Sequence, residues 1–111
     1  MKAVRSVSDL VAAGLMTAEA GEAVETVAER YAVALTPYLR DQLQGRTPDD
    51  PLYAQYVPSP AEAHATPEEL ADPIGDVARS PVKGIVHRYP DRVLLKPLHA
   101  CAVYCRFCLA R

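Results

Sequence analysis

The stretch that decides the fold runs from residue 80 to residue 108 and reads SPVKGIVHRYPDRVLLKPLHACAVYCRFC. It holds two strand-like runs, residues 84–89 and residues 92–96, with the turn dipeptide Pro90-Asp91 between them. The apolar residues 93–95 of the second run predict a short strand in a hydrophobic core. No helical pattern follows to cover that strand, so we expect this chain to be a portion of a longer protein.

The same stretch ends in a loop that carries all three cysteines of the chain, Cys101, Cys105 and Cys108. An odd number of cysteines in one short segment argues against a disulfide framework and favours a reducing compartment. Three thiolates on one loop can ligate three irons of a four-iron, four-sulfur cluster, which leaves the fourth iron open for a cofactor or substrate. Phe107, directly before the last cysteine, fits such a loop.

Two other interpretations of the cysteines stay open at this point. A structural zinc site needs four ligands, and His99 would be the fourth. Alternatively, the three cysteines are inert and pack as small apolar side chains.

The N-terminal residues 1–45 predict a helical region. Ser8 is a candidate cap for a first short helix, and Thr17 and Thr36-Pro37 are the next helix starts. A helical stripe of apolar residues follows Thr17, made up of Ala20, Ala23, Val24, Val27, Ala28, Tyr31 and Leu35.

Residues 46–81 contain seven of the ten prolines of the chain, so long regular elements are not expected there. This segment is interpreted as an ordered arm that lies over a larger body, with a flexible linker as the alternative. Residues 82–111 are then a third region, which begins with the two strand-like runs.

Overall charge and hydropathy exclude several classes of function. The net charge is −2 and the pI is about 5.9, which gives no electrostatic reason to expect a nucleic acid partner. The apolar stretches are too short for a membrane span, and the N-terminus lacks the pattern of a secretory signal. We therefore expect a cytoplasmic protein, with neither a nucleic acid nor a membrane as its partner.

Residues 80–108, with the Asp-Pro-Ile-Gly-Asp turn at 72–76, closely resemble the lysine 2,3-aminomutase family, and HRYPDR and the cysteine loop occur at that family's separation. The resemblance implies an α/β fold, with a helical N-terminal region before the first strands of a partial radical S-adenosylmethionine (SAM) barrel. It implies that the three cysteines hold a 4Fe–4S cluster and that Phe107 lies at the SAM site. It also implies that Arg88 and Arg92 bind the phosphate of pyridoxal phosphate (PLP), with Tyr89 near its ring.

The activity implied by the resemblance is the migration of an amino group from carbon 2 to carbon 3 of an amino acid, with L-lysine as the first substrate. Glutamate, or a lysine pathway that modifies a translation factor, is the alternative. A non-catalytic remnant or small metal-binding protein is a further alternative. The family's PLP-anchoring lysine and its glycine-rich SAM segment have no match here, so the 111-residue chain alone is expected to be inactive. Relatives often assemble, so a homo-oligomer is possible for a full-length protein.

One position departs from the family pattern. The family usually continues after its last cysteine with one residue and then two arginines, one of which grips the substrate carboxylate. This chain has Ala110 and Arg111 at those two positions, so either the role shifts to Arg111 or the end of the chain is altered. The identity of the substrate is therefore left open by the sequence.

Overall fold

The computed structural model describes residues 2–108, and these divide into two compact units. The helical unit comprises residues 2–65 together with Cys101–Cys108. The hairpin unit comprises Thr66–Ala100. The boundaries expected at residues 45 and 81 remain predictions.

The helical unit is built from four short α-helices and one 3₁₀ turn among its described residues. They are α1 (Val7–Ala12), α2 (Ala18–Arg30), α3 (Pro37–Leu43), α4 (Pro51–Tyr56) and the 3₁₀ turn Pro60–Ala63. Thr17 and Thr36 cap α2 and α3 as predicted, because each side-chain oxygen accepts a hydrogen bond from a first-turn amide. The predicted cap residue of α1 was wrong. Ser6, not Ser8, accepts from the amide of Asp9, at 3.1 Å.

The buried face of α2 is displaced from the predicted apolar stripe. Val24 and Val27 are buried as expected, but Ala20 and Ala23 are exposed and Gly21 is buried instead. The reason is the close approach of α1. A Cβ atom at Gly21 would lie 3.0 Å from a methyl group of Val11, which is tighter than an ordinary van der Waals contact, so glycine suits this close approach.

One hydrophobic cluster holds the helical unit together. Its buried members are Val4, Leu10, Leu15, Val33, Leu35, Leu43, Tyr53 and Val57. The chain near Val4 also pairs with Leu35 through two reciprocal backbone hydrogen bonds of 3.0 Å each. Tyr53 and Val57 come from the proline-rich segment, so this part of the segment belongs to a core.

The proline-rich segment contains only short elements, in agreement with its composition. Helix α4 has six residues and begins at Pro51, with Asp50 as its cap. The 3₁₀ turn Pro60–Ala63 is closed by a capping box between Ser59 and Glu62. The sequence analysis did not identify either element.

The hairpin unit contains two antiparallel strands, β1 (Ile85–Tyr89) and β2 (Arg92–Leu95), and a 3₁₀ turn at Val77–Arg79. The predicted Pro90-Asp91 turn joins the strands. Residues Ile85 and Leu95 are paired, as are Tyr89 and Arg92, with an irregularity between these pairs.

The expected core strand is exposed in this structure. Val93, Leu94 and Leu95 are 52%, 57% and 64% exposed, because β2 pairs only with β1 among the described residues and no layer packs over it. The described fold is a mixture of helices and a two-stranded sheet, and the start of a barrel remains a prediction. None of the helices in residues 2–108 has the length and apolarity needed to cross a membrane.

Candidate functional site

The cysteine loop, Cys101–Cys108, lies on the helical unit and is held there by backbone contacts. The amide of Tyr104 donates to the carbonyl oxygen of Ala34 at 3.0 Å, and the amide of Arg106 donates to that of Gln55 at 2.7 Å. The side chain of Val103 packs against the hydrophobic cluster. The loop is therefore fixed by residues that stand between the cysteines.

The three cysteines are thiols, and no two of them are joined in a disulfide. Cys101 is exposed, whereas Cys105 and Cys108 are partly buried. A turn brings the last two together along the backbone, since the amide of Cys108 donates to the carbonyl oxygen of Cys105 at 3.3 Å.

The donors of this loop fit an iron–sulfur cluster in their chemistry. Three thiols on one partly exposed loop are the ligands that such clusters use. The assembled geometry is not formed, because no three Cys, His, Asp or Glu side chains in residues 2–108 are grouped as a metal site would need. His99, the fourth ligand of the zinc alternative, is exposed and belongs to the hairpin unit.

Arg106 is the loop residue that sequence reasoning missed. Its side chain is only 6% exposed and makes a two-pronged ion pair with Glu62, with Nε–Oε1 at 3.0 Å and Nη2–Oε2 at 2.6 Å. Its Nη1 also donates to the carbonyl oxygen of Ala32 at 3.1 Å. These partners lie 44 and 74 residues away along the chain, so no local pattern could have identified them.

Phe107 stands next to Arg106 but faces solvent, and its side chain is 66% exposed. An exposed aromatic ring beside the thiols is available to a ligand. Its assignment to the SAM site remains a prediction.

Arg88 lies in β1 and is held by the turn that precedes it. Its guanidinium group donates to a carboxylate oxygen of Asp76 at 3.0 Å and to the carbonyl oxygen of Ile74. The turn itself is fixed by Asp72, whose carboxylate accepts from the amides of Asp76 and Val77. Thus the Asp-Pro-Ile-Gly-Asp motif positions Arg88.

Arg92 has different neighbours. Its guanidinium carbon lies 4.1 Å from the centre of the Tyr89 ring, and it forms a long, exposed ion pair of 3.4 Å with Asp91. The structure brings Tyr89 and Arg92 together, but Arg88 and Arg92 do not share an acceptor. The hydrogen bonds described use Nη2 of Arg88 and Nη1 of Arg92, so each guanidinium group keeps further N–H donors for a phosphate.

The predicted site residues fall into two groups. Arg88, Tyr89 and Arg92 belong to the hairpin unit, and the cysteines and Phe107 belong to the helical unit. Ala110 and Arg111, on which the substrate assignment depends, lie outside the described residues.

Comparison with known proteins identifies relatives along most of the chain. No family model matches the sequence. The chain is 38% identical over 96 residues to the L-lysine 2,3-aminomutase of Acetoanaerobium sticklandii, which covers 86% of this chain and 23% of that protein. It is 36% identical over 108 residues to the L-lysine 2,3-aminomutase of Bacillus subtilis, which covers 97% of this chain and 23% of that protein.

A glutamate 2,3-aminomutase from Clostridioides difficile is 30% identical over 96 residues, covering 86% of this chain and 22% of that protein. The chain spans about a quarter of the length of the relatives that it matches. The same family was recognised from HRYPDR and the cysteine loop, and the matches extend that similarity to nearly the whole chain. Over the region that it shares with these proteins, the chain is homologous to lysine 2,3-aminomutases.

Proposed function

We propose that this chain is a portion of a radical SAM, PLP-dependent amino-acid 2,3-aminomutase, with Cys101, Cys105 and Cys108 as the cluster ligands. The observation that carries the proposal is the 36% identity over 108 residues to a protein named L-lysine 2,3-aminomutase, a match that covers 97% of this chain. The loop of three thiols fits the proposal in its chemistry.

The residues of this chain would contribute binding and positioning. The cluster and SAM, when bound, would supply the one-electron chemistry that cleaves a carbon–sulfur bond, and PLP would hold the migrating amino group. The thiolates of the loop would hold three irons, and the exposed ring of Phe107 would provide an apolar surface for SAM. Arg88 and Arg92 would hold the PLP phosphate with their guanidinium groups, and Tyr89 would pack beside the ring.

The proposed substrate is L-lysine, because the relatives with 36% to 38% identity carry that name. L-Glutamate is the second candidate, supported by the glutamate 2,3-aminomutase at 30% identity. The two amino acids differ in the charge at the end of their side chains. The proposal names no residue among 2–108 that binds this charged group.

The test is anaerobic reconstitution of the 111-residue chain with ferrous iron and sulfide, followed by reduction and electron paramagnetic resonance. We expect about four irons per chain, as one cluster requires, and a reduced-cluster spectrum that changes when SAM is added. Cys105→Ala should abolish that spectrum. Ala102→Ser, which changes an exposed loop residue and removes no thiol, is the matched control and should leave it unchanged.

Two results would contradict the proposal. One is stoichiometric zinc with no cluster signal, which supports the small metal-binding protein. The other is full iron loading of Cys105→Ala, which would remove Cys105 from the ligand set.

A further inference from the structure

The side chain of Arg106 is buried within the helical unit, where its ion-pair and hydrogen-bond partners lie. It is 6% exposed, whereas its ion-pair partner Glu62 is 21% exposed. A guanidinium group withdrawn from water to this degree is stable only where its N–H groups find acceptors. Arg106 finds them in Glu62 and in two backbone carbonyl groups, those of Tyr31 and Ala32, at 3.5 and 3.1 Å.

The first of these carbonyl groups belongs to the last residue of the α2 terminus, and the second belongs to Ala32, one residue beyond it. Tyr31 is the residue that caps the C-terminus of α2. The last carbonyl groups of a helix lack partners within the helix, and positive charge is favourable there because of the helix dipole. Arg106 thus supplies a cation and donors where α2 ends.

Glu62 is also held by a contact within its own turn. Its Oε1 atom accepts from the amide of Ser59 at 3.2 Å, as part of the capping box of the 3₁₀ turn Pro60–Ala63. The same carboxylate forms both bonds of the ion pair with Arg106. One guanidinium group therefore joins three segments: the end of α2, the proline-rich segment and the cysteine loop.

We propose that Arg106 is a positioning residue, which with Glu62 fastens the cysteine loop to the helical unit before any cluster is present. The bonds from the amides of Tyr104 and Arg106 to Ala34 and Gln55 lie on the same short loop, so the ion pair helps to hold them in register. Cys105 directly precedes Arg106, so its backbone is fixed by the same contact. A loop ordered in advance has less conformational freedom to lose when its thiols bind iron. Only this benefit to cluster binding rests on the proposed function.

Amide hydrogen exchange of the iron-free chain tests the positioning role directly. Glu62→Gln keeps the side-chain oxygen that caps the 3₁₀ turn but removes the charge, and Arg106→Lys keeps the charge but removes the planar fork. We expect each substitution to accelerate exchange at the amides of Tyr104 and Arg106 by at least about tenfold, as the loop opens locally. The amide of Leu35, which bonds to Val4, should be unchanged.

Arg46→Lys is the matched control. Arg46 also pairs with one carboxylate and one carbonyl oxygen, those of Asp50 and Gln42, but in a more exposed setting away from the loop. It should leave exchange in the loop unaltered. Unchanged loop exchange in both Glu62→Gln and Arg106→Lys, with the Leu35 amide still protected, would overturn the proposal. Equal acceleration at every amide of the unit would also overturn it, since Arg106 would then act on overall stability.

The rate of cluster assembly gives a second readout that needs no catalysis. If the wild-type chain takes up iron and sulfide, Arg106→Lys should do so several-fold more slowly although all three cysteines remain. Equal rates would refute the link to cluster binding. A further outcome separates the two proposals: the wild-type chain takes up no cluster, but both substitutions still accelerate exchange in the loop. That result would refute the proposed function and leave Arg106 as the residue that positions the loop.

Discussion

Replacement of Tyr53 by phenylalanine removes one buried hydrogen bond and no carbon atoms. The side chain of Tyr53 is part of the hydrophobic cluster, the residue is 7% exposed, and its hydroxyl group donates to the carbonyl oxygen of Leu15 at 2.7 Å. Leu15 is itself 6% exposed, so its carbonyl oxygen would lose this partner in a largely buried position. Such a loss costs about 1–2 kcal/mol in the free energy of unfolding.

The measurement is urea unfolding of the 111-residue chain, followed by circular dichroism at pH 7. With a dependence on urea of about 1.5 kcal/mol per molar, the midpoint should fall by roughly 1 M. Tyr38→Phe is the matched control, because Tyr38 is 73% exposed, and it should change the stability by less than about 0.5 kcal/mol. Equal midpoints for Tyr53→Phe and Tyr38→Phe would refute the reasoning, and with it the placement of the proline-rich segment in the core.

The same substitution predicts a change with pH. Burial raises the pKa of Tyr53 above its ordinary value of 10.0. The unfolded chain therefore releases this proton at a lower pH than the folded chain, so the stability that Tyr53 provides is complete below pH 10 and is lost as the pH rises through the folded-state pKa. The difference between wild type and Tyr53→Phe should shrink above about pH 10. A difference that stays constant would show that the hydroxyl group is not desolvated.

Two further predictions concern a carboxylate and a glycine. Burial raises the pKa of Asp50, but hydrogen bonds from Arg46 and from the backbone amides of α4 outweigh it, so this pKa lies below its ordinary value of 3.8. The stabilisation is present above that value and is lost as the pH falls, so the urea midpoints of wild type and Asp50→Asn should converge below pH 3.8, and parallel curves would contradict the assignment. Gly84→Ala should destabilise the hairpin by about 1–2 kcal/mol, because Gly84 has a φ of +89° and a Cβ atom there would lie 3.1 Å from the carbonyl oxygen of Lys96. Amide exchange at Lys96 reports it, and Gly75→Ala, which has a positive φ but open space around its Cβ, should leave that amide unchanged; equal rates in the two variants would refute the contact.

Those parts of the fold that local sequence dictates were predictable. The caps Thr17 and Thr36 and the Pro90-Asp91 turn depend on neighbours within a few residues, and all three are present. The apolar pattern predicted the wrong buried face for α2. Gly21 is buried in place of Ala20 because α1 approaches α2 closely at that point. A hydrophobic pattern reports polarity, whereas that approach depends on side-chain volume.

The candidate site divides in the same way. The family resemblance followed from HRYPDR and the cysteine loop occurring together in residues 80–108, and the assignment of the three cysteines as cluster ligands stays a prediction. Arg106 could not be identified from the motif, because its partners Glu62 and Ala32 lie far away along the chain and nothing near Arg106 distinguishes it from a solvated cation. Likewise, the pairing of Arg88 with Asp76 depends on how the turn at 72–76 folds back towards β1.

The way in which the loop is attached decides how its cysteine variants should be interpreted. The described attachments come from the side chain of Val103, the amide of Tyr104 and both the amide and the side chain of Arg106. Cys101 is exposed and precedes all of them. A substitution such as Cys101→Ala therefore removes a thiol without removing any of these contacts. If it eliminates the cluster spectrum while the amide of Tyr104 keeps its protection, the loss is one of ligation, because the fold of the loop has survived.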